Sequence, residues 1–373
     1  MTIDVSNTVF TLPDFLAAWP WKRKVNPGSN PEIKTKSLAW IQSFVASTPR
    51  LQQVFERGDF CTYIAATTLF SGKRSASTGL LASLAYPLED EDVLRVACDL
   101  LNWYFLFDEF TDVATPQQVQ EFAIVSMEAL RNPEEARPVD ECIIGEAARQ
   151  FWHLSSQYAS SGARRRFIEA MDTYTTSIVR EAQDRAENYI RSLDEYVSLR
   201  RDTVGVKPSL VVLEFGLSLP DEFFDDPVVQ RLTNACVDIV ILSNVIRTLL
   251  SVHLALLTLG EDVYSYNVEQ ARGDGHNIVA ILMHRENFAL DQAMEWIGDY
   301  ASRRVQNFLD DFGYVPDLGE EFRGDAKRYL DGLGNWVRAH DCWSFESRRY
   351  FATGGMEIQH SRKVALLPRS NGL

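Results

Sequence analysis

The chain has no long apolar run. Its most apolar stretch, Leu249 to Gly260, is about a dozen residues and contains His253, short of the roughly 20 that a membrane-spanning helix needs. Cysteine is sparse and unpaired in pattern: Cys61, Cys98, Cys142, Cys236 and Cys342 are odd in number, far apart and free of C-x-x-C spacing. That speaks against a disulfide framework or a zinc site and for a reducing compartment. Basic charge is also in deficit, with 37 Lys and Arg against 52 Asp and Glu, a net charge of -15. Nucleic acid and anionic membrane surfaces are therefore poor partners. No basic stretch followed by an apolar core opens the chain, so a secretory leader is not expected, and a cytoplasmic protein is. Strand-like alternation and Ser/Gly linkers are scarce as well.

What is present is helical. Apolar residues make up 46% of the 373 positions, enough for a sizeable core. Val93, Val96, Leu100, Tyr104 and Phe107 recur at three or four residues, as do Phe167, Met171, Tyr174 and Ile178, the period of an amphipathic helix. Proline and glycine cluster in residues 1–31, around Leu12-Pro13, Trp19-Pro20-Trp21 and Asn26-Pro27-Gly28, which predicts an extended lead segment whose tryptophans must bury elsewhere. Pro87, Pro116, Pro133, Pro138, Pro220, Pro227 and Pro316 punctuate the helices without dividing domains. The expectation is one all-α domain over residues 1–373, with no internal repeat.

Four constellations are able to carry chemistry. In Phe107-Asp108-Glu109-Phe110-Thr111-Asp112, Asp108 and Asp112 stand at i, i+4, so both carboxylates share a helix face and can reach a hard cation such as magnesium. In the run from Glu261 to Gln270, Glu261, Ser265 and Glu269 make a stripe of oxygen donors at the same spacing. Arg200-Arg201-Asp202-Thr203-Val204-Gly205 and Trp343-Ser344-Phe345-Glu346-Ser347-Arg348-Arg349-Tyr350 offer guanidinium forks and a phenol to phosphate oxygens, and a glycine that lets backbone approach a ligand. Taken singly, each also fits a solvated helix face or a surface ion pair.

In order and spacing together, these motifs resemble the class I terpene synthases, specifically the sesquiterpene cyclases of basidiomycete fungi. The likeness extends through Leu81-Ala82-Ser83-Leu84-Ala85-Tyr86-Pro87, Arg149-Gln150-Phe151-Trp152 and Gly332 to Arg338. Within the family it is most similar to the delta-6-protoilludene-forming subgroup, which acts on farnesyl diphosphate. The resemblance implies a helical bundle around a central apolar cavity and a cluster of three magnesium ions. It implies that Asp108 leads the first metal motif, with Asp112 fitting the usual pattern, and that Ser265 and Glu269 end the second. Arg349 and Tyr350 would hold the diphosphate with Arg201, Arg200 being the fallback. Gly205 would lie opposite the ionising carbon, and Trp343 would line the cavity. Tyr104, Phe105 and Phe107 are further candidates for its wall, or for ordinary core packing. No protein partner is implied.

The resemblance breaks at two places. The family's second metal motif begins Asn-Asp, and here the matching position before Asp262 is Glu261; the asparagine reappears as Asn244, at the end of Val237-Asp238-Ile239-Val240-Ile241-Leu242-Ser243. Seventeen residues, 245–261, intervene. On a continuous helix Asn244 would then lie about 30 Å from Ser265, too far to share an ion. Removing them restores Asn244-Asp262-Val263-Tyr264-Ser265 through Glu269. Likewise Asp59-Phe60 is separated from Leu80 by an excess of about 18 residues, 61–78. Both segments are expected to be translated introns: valine codons begin with GT, the usual intron start, and Cys61-Thr62-Tyr63 accommodates a fungal donor site. If the segments are genuine, either Glu261 replaces the asparagine or the third ion is lost. Val268 stands where some relatives carry a lysine that touches diphosphate, which leaves more of that work to Arg201, Arg349 and Tyr350.

Two rivals remain. One is a catalytically impaired helical protein whose metal site the insertions disrupt. The other is a chain-elongating prenyltransferase, disfavoured because its second motif should also be aspartate-rich.

Overall fold

The computed structural model describes residues 9–45, 77–112, 114–248, 278–347 and 354–365. They form helices α1 (Pro31–Val45), α2 (Ser77–Ala85), α3 (Glu91–Thr111), α4 (Pro116–Arg131), α5 (Ile143–Ser155), α6 (Ser161–Glu187), α7 (Leu193–Thr203), α8 (Val206–Val211), α9 (Asp221–Asp225), α10 (Pro227–Thr248), α11 (Ile278–Arg285), α12 (Leu290–Phe312), α13 (Glu320–Glu346) and α14 (Gly355–Ser361). Two three-residue strands, β1 (Val9–Thr11) and β2 (Lys363–Ala365), pair antiparallel with Val9 opposite Ala365. The all-α expectation holds.

Helix starts follow from local chemistry. The Asp90 carboxylate accepts the Val93 N–H at the head of α3. Thr115 and Gln118 form a capping box ahead of α4, with Pro116 in the first turn, and Ser192 with Glu195 does the same for α7. Pro227 opens α10, a position where its missing N–H costs nothing. Apolar faces then drive α1 against α3, α4 against α6, α10 against α12 and α13, and α2 against α13. Their buried side chains join into a single apolar cluster.

The lead segment is tied to this bundle by α12 and α13. Trp19 is fully buried, packs at a tilt against Trp21 and Phe308, and donates its indole N–H to the Gly334 carbonyl on α13 at 2.9 Å. Trp21 lies so close to Gly334 that an added Cβ would sit 2.1 Å from its ring, so only glycine allows this crossing. Arg338 donates to the carbonyls of Leu16 and Trp21, and Arg23 pairs with Glu346 at the end of α13. Among the described residues, no helix is long and apolar enough to cross a membrane.

Candidate active site

The first acidic motif ends α3. The Asp112 N–H donates to the Asp108 carbonyl at 2.9 Å, which keeps helical spacing to the last residue and leaves the two side chains one turn apart on one face. Asp108 is half-buried and Asp112 exposed. From α6 the Tyr174 hydroxyl donates to Asp108 Oδ1 at 3.3 Å. Burial, reinforced by the Asp108 charge, pushes the Tyr174 pKa well above the usual phenol range, so this group stays protonated and serves as a donor.

Aromatic packing carries that contact to the turn after α7. Tyr104, one turn back along α3, meets the Tyr174 ring edge-on at 5.2 Å. It also neighbours Gly205, where a Cβ would touch the Tyr104 ring at 3.4 Å. Gly205 takes φ of +70° between α7 and α8, a conformation that a side chain would strain. Asp108, Tyr174, Tyr104 and Gly205 thus form one continuous run of contacts. Phe107, in contrast, is fully buried and stacked on Trp103 at 4.9 Å, which makes it core.

Arg201 lies one turn before Gly205. Its guanidinium forks onto Asp238 of α10, Nε to Oδ1 at 2.6 Å and Nη2 to Oδ2 at 2.8 Å. The hydrogen-bonded carboxylate raises the Arg201 pKa further, against the lowering effect of burial. Arg304 of α12 brings a second cation within 3.3 Å of the same carboxylate. Arg200 reaches the Thr203 hydroxyl instead, at 3.3 Å.

On the far side α10 meets α13. Ser243 Oγ and His340 Nδ1 are 2.7 Å apart, and the His340 ring lies 6.0 Å from that of buried Trp343. Asn244 follows Ser243 in the last turns of α10. Ser265, Glu269, Arg349 and Tyr350 lie outside the described residues, as do 61–76 and 249–261 of the two suspected insertions. Among the described residues, no group of three or more His, Cys, Asp or Glu is placed to hold a metal ion. A small, partly open cleft beneath the lead segment is lined by Leu12, Leu16, Ser243, Asp341, Phe345 and Arg362 among others. It touches the residue before Asn244 but neither Asp108 nor Gly205.

Sequence reasoning missed Tyr174, Asp238 and Arg304. Tyr174 was hidden in an apolar stripe, where a tyrosine reads as core. Asp238 did leave a signal, a lone acid inside the apolar run Val237–Leu242.

The terpene synthase family 2 model, described as C-terminal metal binding, matches residues 99–307, which include Asp108, Arg201, Gly205 and Asn244. A delta(6)-protoilludene synthase of Armillaria gallica is 42% identical over 366 residues, covering 98% of this chain and 95% of the relative. The chain belongs to the terpene synthase family. A delta(6)-protoilludene synthase of Stereum hirsutum is also 42% identical, over 96% of this chain and 88% of its own. In fold, this terpene synthase matches germacradien-4-ol synthase of Streptomyces citricolor, with a TM-score of 0.64 at 20% identity over 87% and 96% of the two chains. A cucumene synthase variant matches with a TM-score of 0.69 at 22% identity, over 89% and 99%. As a terpene synthase, the chain is a metal-binding lyase that acts on an isoprenyl diphosphate.

Proposed function

We propose that this terpene synthase ionises farnesyl diphosphate and cyclises it by 1,11-closure through a humulyl cation to delta-6-protoilludene. The observation that carries the reading is the near-full-length identity to protoilludene synthases. The contact run from Asp108 to Gly205 supports it, because it brings the metal-ligand candidate and the glycine onto one wall.

The donor set fits magnesium: Asp108 and Asp112 offer hard oxygens at the end of α3, and Asn244, Ser265 and Glu269 would add three more. When bound, the three expected ions supply Lewis acidity that stabilises the departing diphosphate. The protein's own groups do the rest. Arg201, Arg349 and Tyr350 hold the diphosphate oxygens while the C1–O bond breaks and its electron pair leaves with that group. Tyr174 orients Asp108 by its hydrogen bond. Gly205 lets the backbone come close to the allylic carbon where a side chain would intrude. Tyr104 and Trp343 exclude water from the cation and present ring faces to it, each face contributing about 0.5 to 2 kcal/mol. Proton loss to form the last double bond ends the sequence.

We further propose that 61–78 and 245–261 are retained introns, so that the working protein has Asn244, Ser265 and Glu269 on one helix face. Support comes from the restored i, i+4, i+8 spacing. Sequencing the transcript tests this directly, and a cDNA that keeps both segments ends it. For the activity, purified protein is incubated with farnesyl diphosphate and magnesium and the headspace analysed. Protoilludene is expected. Absence of any hydrocarbon from both the full chain and a version without the two segments would defeat the enzyme reading, and longer prenyl chains on adding isopentenyl diphosphate would favour the prenyltransferase.

A further inference from the structure

We infer that Asp238 is a positioning residue for Arg201, fixing the direction in which that arginine presents its remaining donors to the diphosphate. The inference rests on the reading of Arg201 as the diphosphate-sensing group.

Asp238 is 3% exposed within an apolar stretch of α10, and a carboxylate there is costly unless it is paired. Both of its oxygens are taken by Arg201, one by Nε and one by Nη2. A guanidinium has five N–H donors, and this fork uses two. Those left lie in the same guanidinium plane on its other edges, so the direction of the fork sets where they aim. The arginine is also fixed in height, because Gly205, one turn further on, is seated on Tyr104.

Arg304 makes the arrangement more than a helix tie. It stands 3.3 Å from Asp238 Oδ2, is held by the Tyr300 hydroxyl at 2.7 Å and lies 4.7 Å over the Tyr300 ring. Two guanidinium groups around one carboxylate leave a net positive charge of one. When the remaining donors of Arg201 engage an anion, Arg304 still offsets the charge of the buried carboxylate. Ordinary helix glue would need only one cation.

The test measures binding of inorganic pyrophosphate in excess magnesium by calorimetry on the full chain, with thermal unfolding alongside. Arg201→Gln should weaken binding about 10-fold or more, Asp238→Asn by a similar factor, and the double variant by no more than either. Asp238→Glu, which keeps the charge, should recover most of the affinity. A packing role predicts the reverse order, because asparagine keeps the shape and glutamate does not. Where Asp238 variants fail to fold, Arg201→Lys serves: it retains charge but not the fork, and a loss of about five-fold or more is expected. Wild-type binding by Asp238→Asn or by Arg201→Lys, or losses that multiply in the double variant, would overturn the inference alone. Unchanged binding by Arg201→Gln, or no binding by the wild type, would overturn the sensing role of Arg201 and the inference with it.

Discussion

The two helices that carry the metal-ligand candidates end differently. α3 runs unbroken from Glu91 to Thr111 and places Asp108 and Asp112 one turn apart, with Tyr174 and Tyr104 packed behind them. α10 runs from Pro227 to Thr248 and carries Asn244 near its end, yet its sequence partners resume only at Asp262. A ligand set at i, i+4 and i+8 requires two turns of continuous helix. The first site keeps its i, i+4 pair on continuous helix in the chain as written, whereas the second includes Asn244 only if 245–261 are removed and otherwise must begin at Glu261.

Removing 61–78 and 245–261 should therefore have the largest effect. The shortened protein is expected to turn over farnesyl diphosphate about 1000-fold faster than the full chain, since a lost ion forfeits several kcal/mol of leaving-group stabilisation. Equal turnover of the two forms would abolish the contrast between the helices. In the shortened protein, Asp108→Ala should cost about 1000-fold in kcat/KM and Asn244→Ala about 100-fold, each scaling with the charge stabilisation removed. Exposed Asp112, at the C-cap of α3, should cost only about 10-fold as alanine. An Asp112 loss equal to that of Asp108 would show that both carboxylates bind directly.

Much of the first site was legible because its chemistry lies within single stretches of chain. Asp108 with Asp112 and Arg201 with Gly205 are each spaced by one helical turn, and that period can be read without a structure. The all-α fold was legible for the same reason, from apolar stripes such as Val93 to Phe107 and from the prolines that open α4 and α10. What was not legible depends on pairs remote in sequence. Tyr174 reaches Asp108 across 66 residues and Arg201 reaches Asp238 across 37, and no local pattern encodes either meeting. The packing of Phe107 into the core instead of a cavity wall is likewise a property of its neighbours.

Gly205→Ala examines the wall built on α3. A methyl at φ of +70° is strained, and it would touch the Tyr104 ring at 3.4 Å. The cost should be about 1 kcal/mol, seen as a fall of roughly 1 to 2 °C in Tm. Product composition should change too, because relief of the strained φ moves the backbone that faces the cation. An unchanged product spectrum would place Gly205 outside the reacting volume.

Tyr174→Phe should have the smallest effect. The substitution keeps the ring packed on Tyr104 and Phe107 and deletes only the hydroxyl that donates to Asp108. At 3.3 Å that bond is long, and Asp108 is half-buried, so water can replace the lost donor. The net loss should be about 0.5 to 1 kcal/mol, or roughly three-fold in kcat, with Tm nearly unchanged. A carboxylate less firmly oriented should also need more magnesium for half-maximal rate. Tyr174→Ala, by removing the ring, should instead destabilise the fold by about 3 kcal/mol or more. If Tyr174→Phe lost as much turnover as Asp108→Ala, the phenol would be acting on the reacting atoms themselves, and the α3 wall would owe its chemistry to α6 as much as to its own carboxylates.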